Sequence, residues 1–218
     1  MSVSLPPSAM PPSQCSGESE AKRQQILDGA LVIFAAHGFE GASMSAIARE
    51  SGVSKGTLYN YFTNKADLFA AFVEHNCREK LPLALAPIQL NEPVKETLTA
   101  VARAMVHLIT LPESIMLYRI IVSEAPHFPH LATSFWQHGP KIAIETLAGW
   151  IQQQVENGTL AVDDPTFAAE QFFTLCQTRL AHRKRFNMPF ENEPADKEKV
   201  IHAAVHMFLA TYGTNKSH

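Results

Sequence analysis

Residues 43–62 read Ser-Met-Ser-Ala-Ile-Ala-Arg-Glu-Ser-Gly-Val-Ser-Lys-Gly-Thr-Leu-Tyr-Asn-Tyr-Phe, and this stretch decides the fold. Ser43 is a good N-cap for a helix whose apolar side includes Ile47 and Ala48. That helix must end at Gly52, which takes the left-handed conformation that closes a short turn. Ser54 then caps a second helix. Ala48 is small enough to let the two helices cross closely, Val53 plugs the turn, and Leu58 and Phe62 bury the inner face of the second helix. A small residue, a glycine four later, an apolar residue next and another five further on make the helix-turn-helix recipe.

The outer face of the second helix turns a packing unit into a candidate DNA reader. Lys55 and Gly56 occupy its first turn, the end that enters a major groove. A lysine there opposes the helix dipole, at a cost of about 0.3–1 kcal/mol, so a phosphate or guanine edge is its natural partner. Gly56 is a poorer helix former than alanine by about 1 kcal/mol, and it lets backbone approach DNA closely. Thr57 can touch a thymine methyl or a phosphate, and Tyr59, Asn60 and Tyr61 present three polar tips in a row. Asn64 and Asp67 resemble a capping box for a third helix, with Lys65 at its N1 position expected to point at a phosphate. Helix starts at Ser43 and Ser45, Ser54 and Asn64 can offer backbone N–H groups to phosphates.

Outward from this segment, proline placement gives the organisation. Pro6, Pro7, Pro11 and Pro12 fall among five serines before residue 17, a composition that reads as a flexible tail over residues 1–18. No proline occurs from Ser13 to Leu81, and ten are scattered beyond. The expected division is therefore a helix-turn-helix domain at 19–70, followed by longer helices over 71–218 broken at prolines. Ile26, Ala30 and Phe34 repeat at helical spacing before Gly38 stops the run. Asp164-Pro165 starts another helix, and a last one spans about 196–212. Hairpin turns and sustained period-two alternation are lacking, so the sequence predicts an all-α chain of nine or ten helices.

Composition sets the outer bounds. The 218 residues carry 18 Lys+Arg against 21 Asp+Glu, a net charge of −3 that does not by itself announce a nucleic-acid binder. From Glu18 to Asp67 the tally is five basic against six acidic residues, so any DNA signal lies in where Lys55 and Lys65 sit, not in bulk charge. No apolar run reaches a membrane span, and the N-terminus lacks a cationic start, which together predict a cytoplasmic protein. Three separated cysteines, Cys15, Cys77 and Cys176, argue against a disulfide framework.

The segment Phe39–Phe69, and above all Gly52-Val-Ser-Lys-Gly-Thr-Leu-Tyr-x-Tyr-Phe-x-x-Lys65, resembles the DNA-binding region of the TetR/AcrR family of transcriptional regulators. Downstream, Leu117-Tyr-Arg-Ile-Ile-Val-Ser-Glu-Ala, Phe128-Pro-x-Leu, Gly139-Pro140 and Val162-Asp-Asp-Pro resemble the AefR-like C-terminal region of part of that family. The resemblance implies a homodimer that places one recognition helix per subunit in the major groove of a near-palindromic operator. It also implies a C-terminal domain that binds a small molecule and separates the reading heads. Lys55, Gly56, Thr57, Tyr59, Asn60, Tyr61 and Lys65 carry over as DNA contacts. Asn60 departs from the aromatic or histidine often found there. The dimer seam falls on the helices at 166–186 and 197–212, with Val200, Ala204, Met207 and Thr211 as a second apolar face.

The other candidates weigh less. Aromatic residues cluster in the C-terminal part, and Met105, Tyr118, Ile121, Phe135, Phe172 and Cys176 are the expected lining of a pocket for a largely apolar ligand. His202 and His206 stand four apart and His127 and His130 three apart, but no carboxylate or cysteine completes a ligand set, so no metal is expected. No Ser-His-Asp arrangement, phosphate-binding glycine loop or His-x-x-Glu motif supports an enzyme, and no cofactor is implied. The alternatives left open are an activator or a ligand-independent regulator of the same fold and, less favoured, an all-α enzyme or metal-binding protein.

Overall fold

The computed structural model describes residues 12–89 and 92–214, so the expected tail lies largely outside the described residues; helix begins at Pro12. Among the described residues there are eleven α-helices, one 3-10 turn at Ala86–Gln89, and a single isolated bridge between Leu160 and Gly213. No single helix among them is long and apolar enough to cross a membrane. The chain divides into two compact units between Phe72 and Val73.

The first unit holds α1 (Pro12–Gly41), α2 (Met44–Glu50), α3 (Lys55–Tyr61) and the start of α4 (Lys65–Leu85). Gly38, at φ +68°, kinks α1 where the sequence predicts the run to stop. Ile26, Ala30 and Phe34 are buried as their spacing requires, together with Ile47, Ala48, Leu58 and Phe62. The rings of Phe34 and Phe39 both meet Phe69 edge-on, at 5.1 and 5.6 Å between centroids. One close approach is specific to glycine. A Cβ on Gly29 of α1 would lie 2.2 Å from Ser51 Oγ and 2.9 Å from Ser51 N, so α1 rests on the backbone of the turn after α2.

That turn shows why the helix pair forms. Gly52 has φ +63°. Its N–H donates to Arg49 O at 3.1 Å while the Val53 N–H donates to Ala48 O at 2.9 Å, the paired bonds that satisfy the last carbonyls of a helix ended by a left-handed residue. The chain is thereby redirected in four residues, and Ser54 starts α3 at once.

The second unit contains the rest of α4, then α5 (Val94–Thr110), α6 (Pro112–Glu124), α7 (Pro129–His138), α8 (Pro140–Glu156), α9 (Pro165–Gln177), α10 (Leu180–Arg185) and α11 (Glu193–Tyr212). Pro112, Pro129, Pro140, Pro165 and Pro194 all stand at helix starts, where a missing N–H costs nothing. Pro82 differs: it lies inside α4, near its end, instead of breaking the chain. The helix expected over 166–186 is two helices, because Arg179 adopts φ +63° and pairs with Asp196 at 2.9 Å. α9 packs on α8, α11 and α5 around a core that includes Leu98, Leu147, Ile151, Phe172 and Phe208.

Candidate functional site

The outer face of the helix-turn-helix pair is held by its own caps. Ser43 Oγ accepts from the Ala46 N–H at 3.1 Å, and Ser54 Oγ accepts from the Thr57 N–H at 3.0 Å. The Thr57 hydroxyl also shares a 2.8 Å hydrogen bond with Ser54 Oγ. Ser45, Lys55, Gly56, Tyr59 and Asn60 are exposed, Tyr59 to 53 %, which is far from what an aromatic ring adopts when packing alone places it. Tyr61 is half-buried, and its hydroxyl donates to Ser19 Oγ at 3.4 Å. Gly56 is informative by elimination. A Cβ there would meet nothing closer than Ser54 Oγ at 3.8 Å, so no packing within the described residues demands a glycine.

Asn64 caps α4 as its sequence predicts: Oδ1 accepts from the Asp67 N–H at 2.9 Å and Nδ2 donates to Asp67 Oδ2 at 3.0 Å. Lys65, expected to point at a phosphate, turns to carbonyls of its own unit. Its ammonium donates to Phe39 O at 2.5 Å and Ala42 O at 3.1 Å, with the Phe39 ring centroid 4.4 Å away. These carbonyls close the C-terminal end of α1, whose partial negative charge holds the cation inside the unit. Lys65 is therefore a lock between α1 and α4.

The second unit holds a cavity of about 610 Å³ among α4, α5, α6, α7, α8, α9 and the end of α10. Of the residues expected to line it, Met105, Tyr118 and Phe135 do. Ile121, Phe172 and Cys176 do not: Ile121 is buried on α6, while Phe172 and Cys176 are fully buried in the core between helices. Trp136, Phe173 and Ile115 supply apolar wall that the sequence did not single out, and Lys80, Gln177 and Arg185 supply polar wall. Burial pushes the Cys77 thiol, on the wall, up to about 11 against the opposing influence of Lys80. The Cys176 thiol is pushed up to about 12 by burial.

On α11, Val200 and Ala204 face inward and are buried, so they cannot belong to a seam between subunits. Met207 and Thr211 are exposed, and Ala203 and Ala210 share their face. His202 and His206, stacked at 6.3 Å between ring centroids, lie exposed beside them.

Residues 26–72 match the model of bacterial regulatory proteins of the tetR family, and residues 96–214 match the AefR-like transcriptional repressor C-terminal domain. The chain belongs to the TetR family. Its fold follows that of a TetR-family regulator from Mesorhizobium loti with a TM-score of 0.84 at 26 % identity, covering 90 % of this chain and 98 % of that one. The flavonoid-responsive regulator FrrA is 31 % identical over 90 % of this chain and 99 % of its own, with a TM-score of 0.70. Among curated relatives, the transcriptional regulator SrpR of Pseudomonas putida is 30 % identical over 49 % of this chain and 48 % of its own length. The chain thus spans about half the length of that relative or less of others it matches. This TetR-family chain is a transcriptional regulator, not an enzyme, and its family binds operator DNA.

Proposed function

We propose that this TetR-family chain is a homodimeric repressor that reads a near-palindromic operator through α3 and is released by a small, largely apolar ligand in the second-unit cavity. The observation that carries the reading is Gly56: a glycine that the described residues do not need, next to an exposed Lys55 at the start of a capped helix. Both choices weaken the isolated helix, and both gain a use once DNA backbone and phosphate lie against that turn. Lys55, Gly56, Thr57, Tyr59 and Asn60 form the proposed contact surface, flanked by Ser43, Ser45, Ser54 and Tyr61.

The dimer seam is proposed on α11 and α9. Ala203, Met207, Ala210 and Thr211 on α11 and Phe167, Gln171 and Thr174 on α9 are exposed. The two helices pack together, joined by a hydrogen bond from the Tyr212 hydroxyl to Gln171 Oε1 at 2.5 Å. A nearly symmetric dimer dictates an inverted-repeat target, with half-sites set by the spacing of the two heads.

Selecting bound duplexes from random DNA tests this reading. The expected outcome is an enriched inverted repeat, bound by a dimer in sedimentation and with affinity falling steeply with salt. A pool without enrichment, or a monomer at binding concentrations, contradicts it.

A further inference from the structure

The two cations on the cavity wall are not equivalent. Lys80 Nζ is buried and sits against Glu113, so that pair is neutral as a unit. Arg185, the last residue of α10, has its guanidinium 3.6 Å from the Tyr118 ring centroid and donates to Gln177 Oε1 at 3.0 Å. Neither partner carries negative charge, and no carboxylate pairs with Arg185 among the described residues. A guanidinium stays protonated and has more N–H donors than one amide oxygen can satisfy.

The group is also held in place before any ligand arrives. Arg119 of α6 donates from Nε to Arg185 O and from Nη2 to Lys184 O, each at 2.8 Å, which pins the end of α10. Tyr118, one residue earlier on α6, supports the flat face of the guanidinium. A cation held between the Tyr118 ring and Gln177, on a pinned helix end, and lining an apolar cavity gives up little conformational freedom on meeting an anion. The opposing charge on the wall is Glu170, which is exposed and lies seven residues before Gln177 on α9. No ion pair joins Glu170 to Arg185 among the described residues, where the guanidinium meets Tyr118 and Gln177 instead.

We propose that the cavity selects an amphipathic organic anion: an apolar body against Ile115, Phe135, Trp136 and Phe173, and one carboxylate or sulfonate group at Arg185. This rests on the cavity being the effector site, and it adds the chemical class of the effector.

Two dyes with one skeleton separate the ideas in the full-length protein: anilinonaphthalene sulfonate, an anion, and phenyl-naphthylamine, its neutral counterpart. Fluorescence titration is expected to give about tenfold tighter binding of the anion, and Arg185→Gln to remove that preference while leaving the neutral dye unchanged. Met105→Trp, or Ala143→Phe should that variant fold poorly by circular dichroism, is expected to block both dyes by filling the cavity. Equal affinities in the wild type, or equal weakening of both dyes by Arg185→Gln, overturn the anion proposal and leave the cavity as an effector site. Binding of neither dye, or binding that survives both filled cavities, overturns the cavity reading itself and the anion proposal with it.

Discussion

The two units of this chain carry their candidate sites in opposite ways. In the first, the exposed face of α3 is positioned by contacts a few residues long: the Ser54 cap, the Gly52 turn and the Asn64 capping box. In the second, the cavity is assembled from residues up to about a hundred positions apart, from Lys80 on α4 to Arg185 on α10. A surface that reads a regular duplex can be built from local geometry. A cavity exists only where several helices fail to fill the space between them, and that depends on the whole unit.

The contrast can be broken by substitution, beginning with the largest effect. Phe172→Ala removes a fully buried ring from the core and is expected to cost about 3–5 kcal/mol. Phe135→Ala, on the cavity wall, already borders empty space and is expected to cost about 1 kcal/mol. Urea titrations check both; equal losses mean that the cavity wall is packed like the core.

Next comes Gly29→Ala, which drives a methyl into the Ser51 backbone and is expected to cost about 2–3 kcal/mol, the upper part of the over-packing range. Thermal melts of the first-unit signal check it, and an unchanged melting temperature denies that α1 rests on the turn. Lys65→Met is expected to cost about 1–2 kcal/mol through the lost bonds to Phe39 and Ala42 carbonyls. A variant of wild-type stability that loses DNA binding instead restores Lys65 to the phosphate contacts.

The smallest effect is alkaline. Burial raises both described thiols from 9.0, Cys77 to about 11 and Cys176 to about 12. The folded chain therefore keeps protons that the unfolded chain releases above about pH 9. Stability is expected to be insensitive to these groups below that pH and to decline above it, and Cys176→Val to flatten part of the decline in melting temperature.

The same contrast explains what the sequence disclosed. Ser43, Ser54, Asn64 and Gly52 were legible because each acts on partners within five residues. The bonds from Lys65 to α1 were not legible because their acceptors lie 23 to 26 residues upstream, and one-dimensional spacing sees the dipole of its own helix but not the end of another. Periodicity also marks residues as buried without saying against what. Met105, Tyr118 and Phe135 border the cavity, while Ile121, Phe172 and Cys176 carry the same apolar signal and lie away from it. Val200 and Ala204 were placed on an outer face for a related reason: α11 has two apolar stripes, and packing on α5 and α9 decides which is inner. Arg185 left no useful signal, since a cation ending a helix is an ordinary feature until Tyr118 and Gln177 are seen beside it.

The central claim is that α3 reads DNA through side chains the fold itself does not need. Gel-shift titration of wild type, Lys55→Ala and Tyr59→Ala against the selected duplex, with melting temperatures in parallel, tests it most directly. The predicted result is loss of specific binding in both variants with melting temperatures within about 2 °C of wild type, as befits exposed side chains away from the core. Unchanged affinity in both variants contradicts the account, and so does a loss of binding that follows a loss of fold.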